Sequence, residues 1–306
     1  MKASWWYHIV AFLVVVVWGS TFVFTKLLLL NGLSPAQIFT LRFVIAYLLL
    51  LGYELLFARK SFRFFSDSLK DELMMLMLGI TGGSLYFLTE NEALNYTATT
   101  NVSLIVCCCP LVTALLVSIF YRSQRLRLLQ VFGTLMAAVG VVAVVLNGHF
   151  VLHLSPVGDL LALGANLCWA VYSLLLIPAN RRVGEGEHER KKYGAVFITR
   201  KVFFYGLLTM IPYFLLVPDW PSWQVIVRPQ VLGNLLYLGI VASCVCFLVW
   251  TWVMDKLGAI IATNYVYVNP ISTIVFASFL LNEQITFFFL AGTLLILSGM
   301  YLTDRK

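Results

Sequence analysis

Four cations, Lys26, Arg42, Arg200 and Lys201, lie inside long apolar stretches of the sequence. An ionised side chain there is costly unless it faces a cavity, a partner or the membrane surface. We expect Arg42 to face a cavity, where its planar guanidinium would bind a carboxylate or phosphate of a solute. Snorkelling to the outer surface is the alternative for Arg42. Arg200 is a second candidate for solute binding, with anchoring at the membrane surface as its alternative, and Lys26 is expected to snorkel.

Polar side chains of opposite or neutral charge also occur near apolar runs. Glu90 lies one helical turn after Tyr86, still within an apolar run, and would accept a proton or pair with Arg42 from the neighbouring span; a position at the outer interface is equally consistent. Asn101, Asn264 and Asn269 are predicted to be buried amides. Because a buried amide is expensive unless paired, each is expected to bond either a neighbour or a solute.

Aromatic residues could form the wall of such a site. Trp18 and Phe22 are four residues apart, so they share one helical face, and Trp169 and Trp250 have neighbours at the same spacing. An aromatic wall suits an apolar or zwitterionic solute and can hold cations. The candidate wall consists of Trp18, Phe22, Trp169, Tyr172 and Trp250. Ordinary helix packing or lipid contact is the alternative.

Other chemistries find little support in the sequence. The six cysteines lie inside apolar runs without C-x-x-C spacing, which favours packing over disulfides or metal ligands. No histidine occupies the interior of an apolar run, and no nucleotide-binding GxxxxGK[ST] motif occurs. We therefore expect no metal, no cofactor and no catalytic residue.

Composition identifies the environment of these residues. Of 306 residues, 61% are hydrophobic and only 11% are charged, and the mean hydropathy is +0.90. Soluble surfaces usually carry roughly 25–35% charged side chains, so the chain is predicted to be an all-α integral membrane protein. The net charge of +7 is not arranged as a basic nucleic-acid-binding face, and no nucleic-acid partner is expected.

Ten apolar runs are each long enough for a membrane-spanning helix, which needs about 20 residues. They are Trp6–Leu30, Pro35–Phe57, Leu73–Leu94, Ala98–Tyr121, Leu128–Leu146, Gly158–Ile177, Ala195–Val217, Val231–Met254, Ala259–Leu281 and Phe287–Thr303. With an even number of spans, sixteen Lys and Arg residues fall on one side and only Arg228 on the other. The positive-inside rule then predicts a multi-pass protein of the inner cell membrane with both termini cytoplasmic.

The two halves of the chain resemble each other. Phe39–Leu50 aligns with Phe197–Leu208 at an offset of 158, with Arg42 matching Arg200. Glycines and prolines also match: Gly79 with Gly239, Pro110 with Pro270, and Gly133 and Gly140 with Gly292 and Gly299. Because five spans is an odd number, the second copy would be inverted relative to the first. We predict two inverted five-helix repeats, residues 1–147 and 156–306.

Small residues and prolines suggest where the repeats could move. Gly79 and Gly83 form a small-x-x-x-small face that allows close helix approach. Pro110 and Pro270 each remove a helical hydrogen bond at related points. We predict that these four residues line and gate a pathway, with static packing as the alternative.

Short motifs in order along the chain resemble the EamA-type members of the drug/metabolite transporter superfamily. They are Trp18-Gly-Ser-Thr-Phe22, Leu33-Ser-Pro35, Leu41-Arg42-Phe43, Ala93-Leu-Asn-Tyr-Thr97, Pro110-Leu-Val-Thr-Ala114, Gly158-Asp-Leu-Leu-Ala162, Cys168-Trp-Ala-Val-Tyr172 and Asn282-Glu283-Gln284. The acidic residue that the family often shows before the last helix of each unit is Glu283 in the second half but Gln124 in the first. The resemblance implies export or exchange of small metabolites, amino acids or drugs.

Three functions stay open at this point. The sequence favours a secondary transporter that works by alternating access on a small solute, amino acid-like, nucleoside- or sugar-like, or drug-like. A flippase for lipid-linked substrates and a polytopic membrane enzyme are the alternatives; Glu90 and Glu92 lie on nearly opposite helix faces, which weakens the enzyme hypothesis. The expected partners are the solute and the lipid bilayer, and a homodimer is left open.

Overall fold

The structure is a computed structural model and describes residues 5–59, 62–96, 102, 105–121, 127–146, 155–183, 190–191, 193–217, 220–281 and 286–304. In the first half the helices are α1 Trp5–Leu30, α2 Pro35–Phe57, α3 Leu69–Gly79, α4 Leu85–Tyr96, α5 Cys109–Phe120 and α6 Leu128–Leu146. A π-helical segment, Ile80–Ser84, joins α3 to α4.

The second half begins with α7 Pro156–Ala179 and a two-residue antiparallel strand pair, Arg182–Val183 with Arg190–Lys191. Its remaining helices are α8 Ala195–Leu208, α9 Ile211–Leu216, α10 Trp223–Ile226, α11 Pro229–Leu236, α12 Cys246–Leu257, α13 Ala259–Asn264, α14 Asn269–Leu281 and α15 Phe287–Asp304. The π-helical segment Tyr237–Val245 joins α11 to α12, and the 3₁₀ segment Tyr265–Val268 joins α13 to α14.

Eight helical runs in the described residues are long and apolar enough to cross a membrane. Two shorter apolar helices, Ile105–Phe120 and Phe287–Thr303, occupy the places of the fourth and tenth predicted spans. The expected all-helical membrane architecture is therefore confirmed, apart from the small strand pair. The count of ten spans stays a prediction.

The turn between α1 and α2 shows how local sequence sets a helix boundary. Gly32 has a φ of +91°, a left-handed conformation that favours glycine. Ser34 caps α2: its hydroxyl accepts from the backbone N–H of Gln37 at 3.3 Å, and the Gln37 side chain accepts from the Ser34 N–H at 2.9 Å. Pro35 occupies the first turn, where a missing N–H costs nothing.

The predicted proline positions mark breaks between helical segments. Pro110 lies in the first turn of α5, directly after a turn at Cys108. Pro270 lies in the first turn of α14, after the 3₁₀ segment. Because the missing N–H is tolerated in a first turn, each proline begins a new segment rather than kinking a continuous helix.

Glycines that match between the two halves pack against each other. A Cβ at Gly133 would lie 2.6 Å from the carbonyl oxygen of Gly299, and one at Gly140 would lie 2.7 Å from that of Gly292. The early glycine of α6 thus meets the late glycine of α15, and the late glycine of α6 meets the early one of α15. The two helices therefore run antiparallel, with their backbones in contact.

A second pair of contacts also joins matched positions of one half to the other half. A Cβ at Gly79 would lie 2.5 Å from the Cβ of Tyr205 in α8, and one at Gly239 would lie 2.8 Å from the Cβ of Ile45 in α2. In each case the third helical run of one half packs on the second helix of the other half. A Cβ at Gly83, one turn beyond Gly79, would lie 3.4 Å from the Cα of Gly206 in α8 of the other half and 3.3 Å from the Phe43 ring in α2 of its own half.

Candidate functional site

A cavity of about 440 Å³ opens between the two halves and reaches the turn between α1 and α2. Its lining comes from seven helices, α1, α2, α4, α5, α7, α12 and α14, from the helical turn before α5 and from the 3₁₀ segment before α14. The lining residues are Trp18, Thr21, Phe22, Thr25, Lys26, Leu29, Leu30, Pro35, Ile38, Phe39, Arg42, Tyr86, Phe87, Glu90, Asn91, Val106, Cys109, Trp169, Phe247, Val266 and Asn269. Its volume falls within the roughly 300–1,000 Å³ typical of small-molecule sites.

Arg42 supplies a buried positive charge to this cavity. The side chain is only 4% exposed, its Nε donates to the Ser243 hydroxyl at 2.8 Å, and its guanidinium lies over the Phe87 ring at 4.9 Å. One edge of the guanidinium is thus held by the second half of the chain, and the group lines the cavity. The expectation that Arg42 faces a cavity rather than the outer surface agrees with this position.

Glu90 supplies a buried carboxyl group to the same cavity. It is 6% exposed, and its Oε1 accepts a hydrogen bond from the Tyr86 hydroxyl at 2.9 Å. Within the part of the chain that the structure describes, Glu90 and Arg42 form no direct ion pair. The cavity therefore presents a guanidinium and a carboxyl group that do not pair with each other.

Aromatic rings close the inner end of the cavity. The ring centroids of Trp18 and Trp169 lie 5.3 Å apart in an edge-to-face arrangement, and Trp18 lies 5.6 Å from Phe247. The Trp18 indole N–H donates to the Ala242 carbonyl at 3.0 Å, which fixes its ring. Phe22, one turn along α1 from Trp18, also lines the cavity.

Two polar atoms of the lining have no partner among the described residues: the Trp169 indole N–H and the Asn269 side-chain oxygen. One is a donor and the other an acceptor, and both residues line the cavity. Leaving such a group unpaired costs about 1–3 kcal/mol, so a solute that satisfied both would gain affinity.

Several predicted site residues lie elsewhere. Trp250 and Tyr172 are completely buried outside the lining, in the packed layer behind Trp169 and Phe247. The sequence predicts both residues in the aromatic wall. The structure places them behind it, and helical spacing alone cannot show which face of a helix meets the cavity. Asn264 lines a separate groove, because it is five residues from Asn269 and residues five apart on a helix do not share a face. Asn101 lies outside the described residues.

Arg200 is the clearest correction. It matches Arg42 in sequence, but it lies outside the cavity and is 1% exposed. Its Nε donates to the Glu54 carboxylate near the end of α2, and its Nη2 donates to the Arg63 carbonyl at 2.5 Å. It does not line the cavity, because Glu54 and the loop after α2 satisfy its charge inside the protein.

The neighbouring cation, Lys201, is held in the same way. Its ammonium pairs with Glu72 in α3, and the Tyr205 hydroxyl donates to the same carboxylate. A third pair joins Arg181, just after α7, to Asp71 at 2.8 Å. These groups, Glu54, Asp71, Glu72, Arg181, Arg200, Lys201 and Tyr205, tie α2, α3, α7 and α8 together; we refer to them as the closing network.

Tyr193 extends the closing network into the loop before α8. Its hydroxyl donates to the Asp71 carboxylate at 2.9 Å and accepts from the Asp67 backbone N–H at 2.8 Å. Burial, and with it the hydrogen bond to Asp71, raises the pKa of the Tyr193 hydroxyl above its ordinary value. The hydroxyl therefore stays protonated and keeps donating at neutral pH.

Sequence reasoning missed part of the lining and the acidic half of the closing network. Phe39 lies three residues before Arg42, and Phe87 lies three residues before Glu90. Residues three apart share a helical face, so this spacing would have identified both as cavity residues. Nothing in the sequence links Glu54 or Glu72 to cations more than one hundred residues away.

Comparison with known proteins places the chain among transporters. The model of the EamA-like transporter family matches residues 5–146 and 156–303. An uncharacterized transporter of Archaeoglobus fulgidus is 28% identical over 98% of this chain and 97% of its own length. A probable amino-acid metabolite efflux pump of Salmonella typhimurium is 26% identical over 95% of this chain and 92% of its own length.

A protein of known crystal structure shares the fold. It superposes with a TM-score of 0.73 at 19% identity and covers 96% of this chain and 94% of its own. With the apolar helices and the family match over both halves, these similarities show a multi-pass membrane transporter. The chain belongs to the EamA-like transporter family.

Proposed function

We propose that the chain is a secondary transporter that exports or exchanges a small zwitterionic, amino acid-like metabolite by alternating access. The observation that carries this proposal is the presence of a buried guanidinium, that of Arg42, and a buried carboxyl group, that of Glu90, in one aromatic cavity. The names of two relatives, both probable amino-acid metabolite efflux pumps, support the same class of solute.

The chemistry of the cavity matches the parts of such a solute. Arg42 would bind the carboxylate through its free edge, since its other edge is held by Ser243. Glu90 would bind the ammonium group, and the rings of Trp18, Phe87 and Trp169 would surround an apolar side chain. The unpaired Trp169 N–H and Asn269 oxygen would take a further polar group of the solute.

Alternating access needs two related halves, and the reciprocal contacts support that arrangement. The pairs Gly133–Gly299 and Gly140–Gly292 exchange matched positions between α6 and α15, as a two-fold axis between equivalent helices requires. Because these helices are antiparallel, the axis would lie in the plane of the membrane. This supports two inverted five-helix repeats, residues 1–147 and 156–306, with the cavity at their interface.

The asymmetry of the structure supports its interpretation as one state of a transport cycle. The cavity reaches the α1–α2 turn, whereas the closing network joins the elements at the opposite end, where α2 ends and α3 begins. The distribution of Lys and Arg predicts that this closed end is cytoplasmic in the inner membrane. The molecule would therefore be open to the outside and sealed toward the cytoplasm.

Counterflow in proteoliposomes tests the proposal. Vesicles loaded with a mixture of amino acids, nucleosides, sugars and cationic drugs would be assayed for uptake of each labelled compound. We expect a zwitterionic amino acid with an apolar side chain to be exchanged. Arg42→Met should weaken its apparent affinity roughly 10- to 100-fold, because a hydrogen bond to a charged group contributes about 1.5–3 kcal/mol.

Matched control variants separate the site from a general effect of charge. Arg228→Met removes an exposed cation that does not line the cavity, and Glu92→Gln removes an exposed carboxylate two residues from Glu90. Both should transport nearly as the parent does, whereas Glu90→Gln should lose preference for the ammonium group. Normal exchange in both Arg42→Met and Glu90→Gln would refute the assignment of the site.

A further inference from the structure

A second groove, of about 420 Å³, lies on the outside of the bundle between α1, α13 and α15. It is lined by Trp5, His8, Ile9, Phe12, Ile261, Asn264, Tyr265, Leu297, Met300 and Tyr301. Most of these side chains are apolar, and several are well exposed, among them Trp5, Leu297 and Tyr301. The groove is separate from the transport cavity and shares no lining residue with it.

Asn264 gives this apolar groove a polar point. It is only 4% exposed, and neither its side-chain nitrogen nor its side-chain oxygen has a hydrogen-bond partner among the described residues. Beside it, the Tyr265 hydroxyl and the His8 Nδ1 are hydrogen-bonded at 2.8 Å. An amide that lacks both partners is costly, so the groove is built to receive a ligand with polar atoms.

The polar residues of the groove lie close to the ends of the helices that line it, which we take to lie at the membrane surface. His8 lies three residues inside the start of α1 and Asn264 five residues inside the start of α13. At 1.5 Å per residue these positions are about 4–8 Å from the helix ends. This depth corresponds to the polar interface layer of the bilayer, where Trp and Tyr are enriched, as Trp5 and Tyr301 are at the rim.

The charge of the flanking sequence indicates the headgroup. In the sequence, Lys2 precedes Trp5 by three residues, and Arg305 and Lys306 directly follow the end of α15. Both helices line the groove at those ends. Each basic residue near a membrane surface contributes about 1 kcal/mol of attraction to anionic lipids.

We propose that this groove binds an anionic glycerophospholipid of the adjacent leaflet. One acyl chain lies along Ile9, Phe12 and Leu297, and an ester carbonyl accepts a hydrogen bond from the Asn264 amide. The phosphate-bearing headgroup lies at the open end of the groove, beside the start of α1 and the end of α15. A bilayer supplies this ligand in excess, and its polar and apolar parts occur in the same order as those of the groove.

Native mass spectrometry of the purified full chain tests the proposal. The protein would be mixed with equal amounts of phosphatidylglycerol and phosphatidylcholine and released from detergent. We expect the parent protein to retain phosphatidylglycerol in preference to phosphatidylcholine. Asn264→Leu should reduce this retention at least about fivefold, because it removes the hydrogen bond at the floor of the groove.

A second variant keeps the test independent of Asn264. Leu297→Trp would fill the groove with a larger side chain and should abolish the preference for phosphatidylglycerol. Leu294→Trp is its matched control, since Leu294 is 67% exposed on the same helix and does not line the groove. Without lipid, the thermal unfolding temperature of Asn264→Leu should be no lower than that of the parent, because the substitution removes an unpaired buried amide.

Three results would overturn the proposal. One is equal retention of both lipids by the parent protein. Another is unchanged retention of phosphatidylglycerol in both Asn264→Leu and Leu297→Trp. The third is a change of oligomeric state in Leu297→Trp with lipid retention intact, which would make the groove an interface between two copies.

Discussion

Breaking the Arg200–Glu54 pair should change which side of the protein is open. Both side chains are almost completely buried, with 1% and 8% of their surface exposed. Glu54→Gln preserves the shape of the side chain and removes its charge, so the guanidinium would be left buried without a counter-charge. Removal of one partner of a buried pair typically costs about 3–5 kcal/mol.

The size of the expected effect follows from this cost. If the pair forms only while the closing network is assembled, the whole penalty falls on the state that is closed at this end. An energy of about 3–5 kcal/mol changes an equilibrium constant roughly a hundred- to a few thousand-fold. The variant should therefore spend most of its time with the closing network open and the cavity closed at the α1–α2 turn.

Accessibility of a single thiol measures this shift. Thr25 lines the cavity near the α1–α2 turn, and Thr25→Cys would be the reporter in a background without the six native cysteines. A membrane-impermeant maleimide added on the side of that turn should label the parent rapidly. In Glu54→Gln the labelling rate should fall at least tenfold.

Two further variants decide whether the charge pair is responsible. Asp67→Asn breaks the exposed pair between Arg63 and Asp67, whose side chains are 50% and 46% exposed; such a pair contributes about 0.3–0.5 kcal/mol, and labelling should stay normal. Replacing both Glu54 with Leu and Arg200 with Met should restore parental labelling, because no buried charge remains unpaired. The reasoning is refuted if Glu54→Gln labels no more slowly than Asp67→Asn.

Three other substitutions test the packing and the site. Gly140→Ala should lower the free energy of unfolding by about 1–3 kcal/mol, measured by thermal unfolding in detergent, because its Cβ would meet the Gly292 carbonyl; Gly52→Ala, with no atom within 4 Å, is the control and should not destabilise. Ser243→Ala should raise the KM of exchange less than Arg42→Met does, since it removes only the partner that orients the guanidinium; an unchanged KM would contradict this role. Trp169→Phe should leave thermal stability nearly unchanged but weaken solute affinity about 2- to 10-fold in a binding titration, because its indole N–H has no partner in the described structure; unchanged affinity would count against solute contact there.

Much of the architecture was predictable because membrane insertion leaves a strong trace in sequence. Lipid offers backbone groups no hydrogen-bond partner, so each apolar run must be helical. The boundaries of α2 and α6, Pro35–Phe57 and Leu128–Leu146, agree with the sequence prediction. The start of α3 was less well predicted: the helix begins at Leu69, because Ser68 caps it and its polar first turn lies outside the apolar run.

The sequence also identified the residues with the strongest reason to face a cavity. Arg42 and Glu90 carry charges that lipid disfavours, and both line the cavity, as do Trp18, Phe22, Trp169 and Asn269. The energetic cost of burying a charge, however, does not determine which interaction compensates for it. Arg42 and Arg200 occupy matched positions in two similar segments, yet one lines a cavity and the other is neutralised by a carboxylate.

Only the tertiary structure decided between those outcomes. The partner of Arg200, Glu54, is 146 residues away, and that of Lys201, Glu72, is 129 residues away; no local pattern encodes such a distance. Asn264 and Asn269 are five residues apart, so they lie about 140° apart around the helix axis, and each lines a different site. Composition and periodicity determine that a buried polar or charged side chain needs a partner. The packing of distant helices determines which residue that partner is.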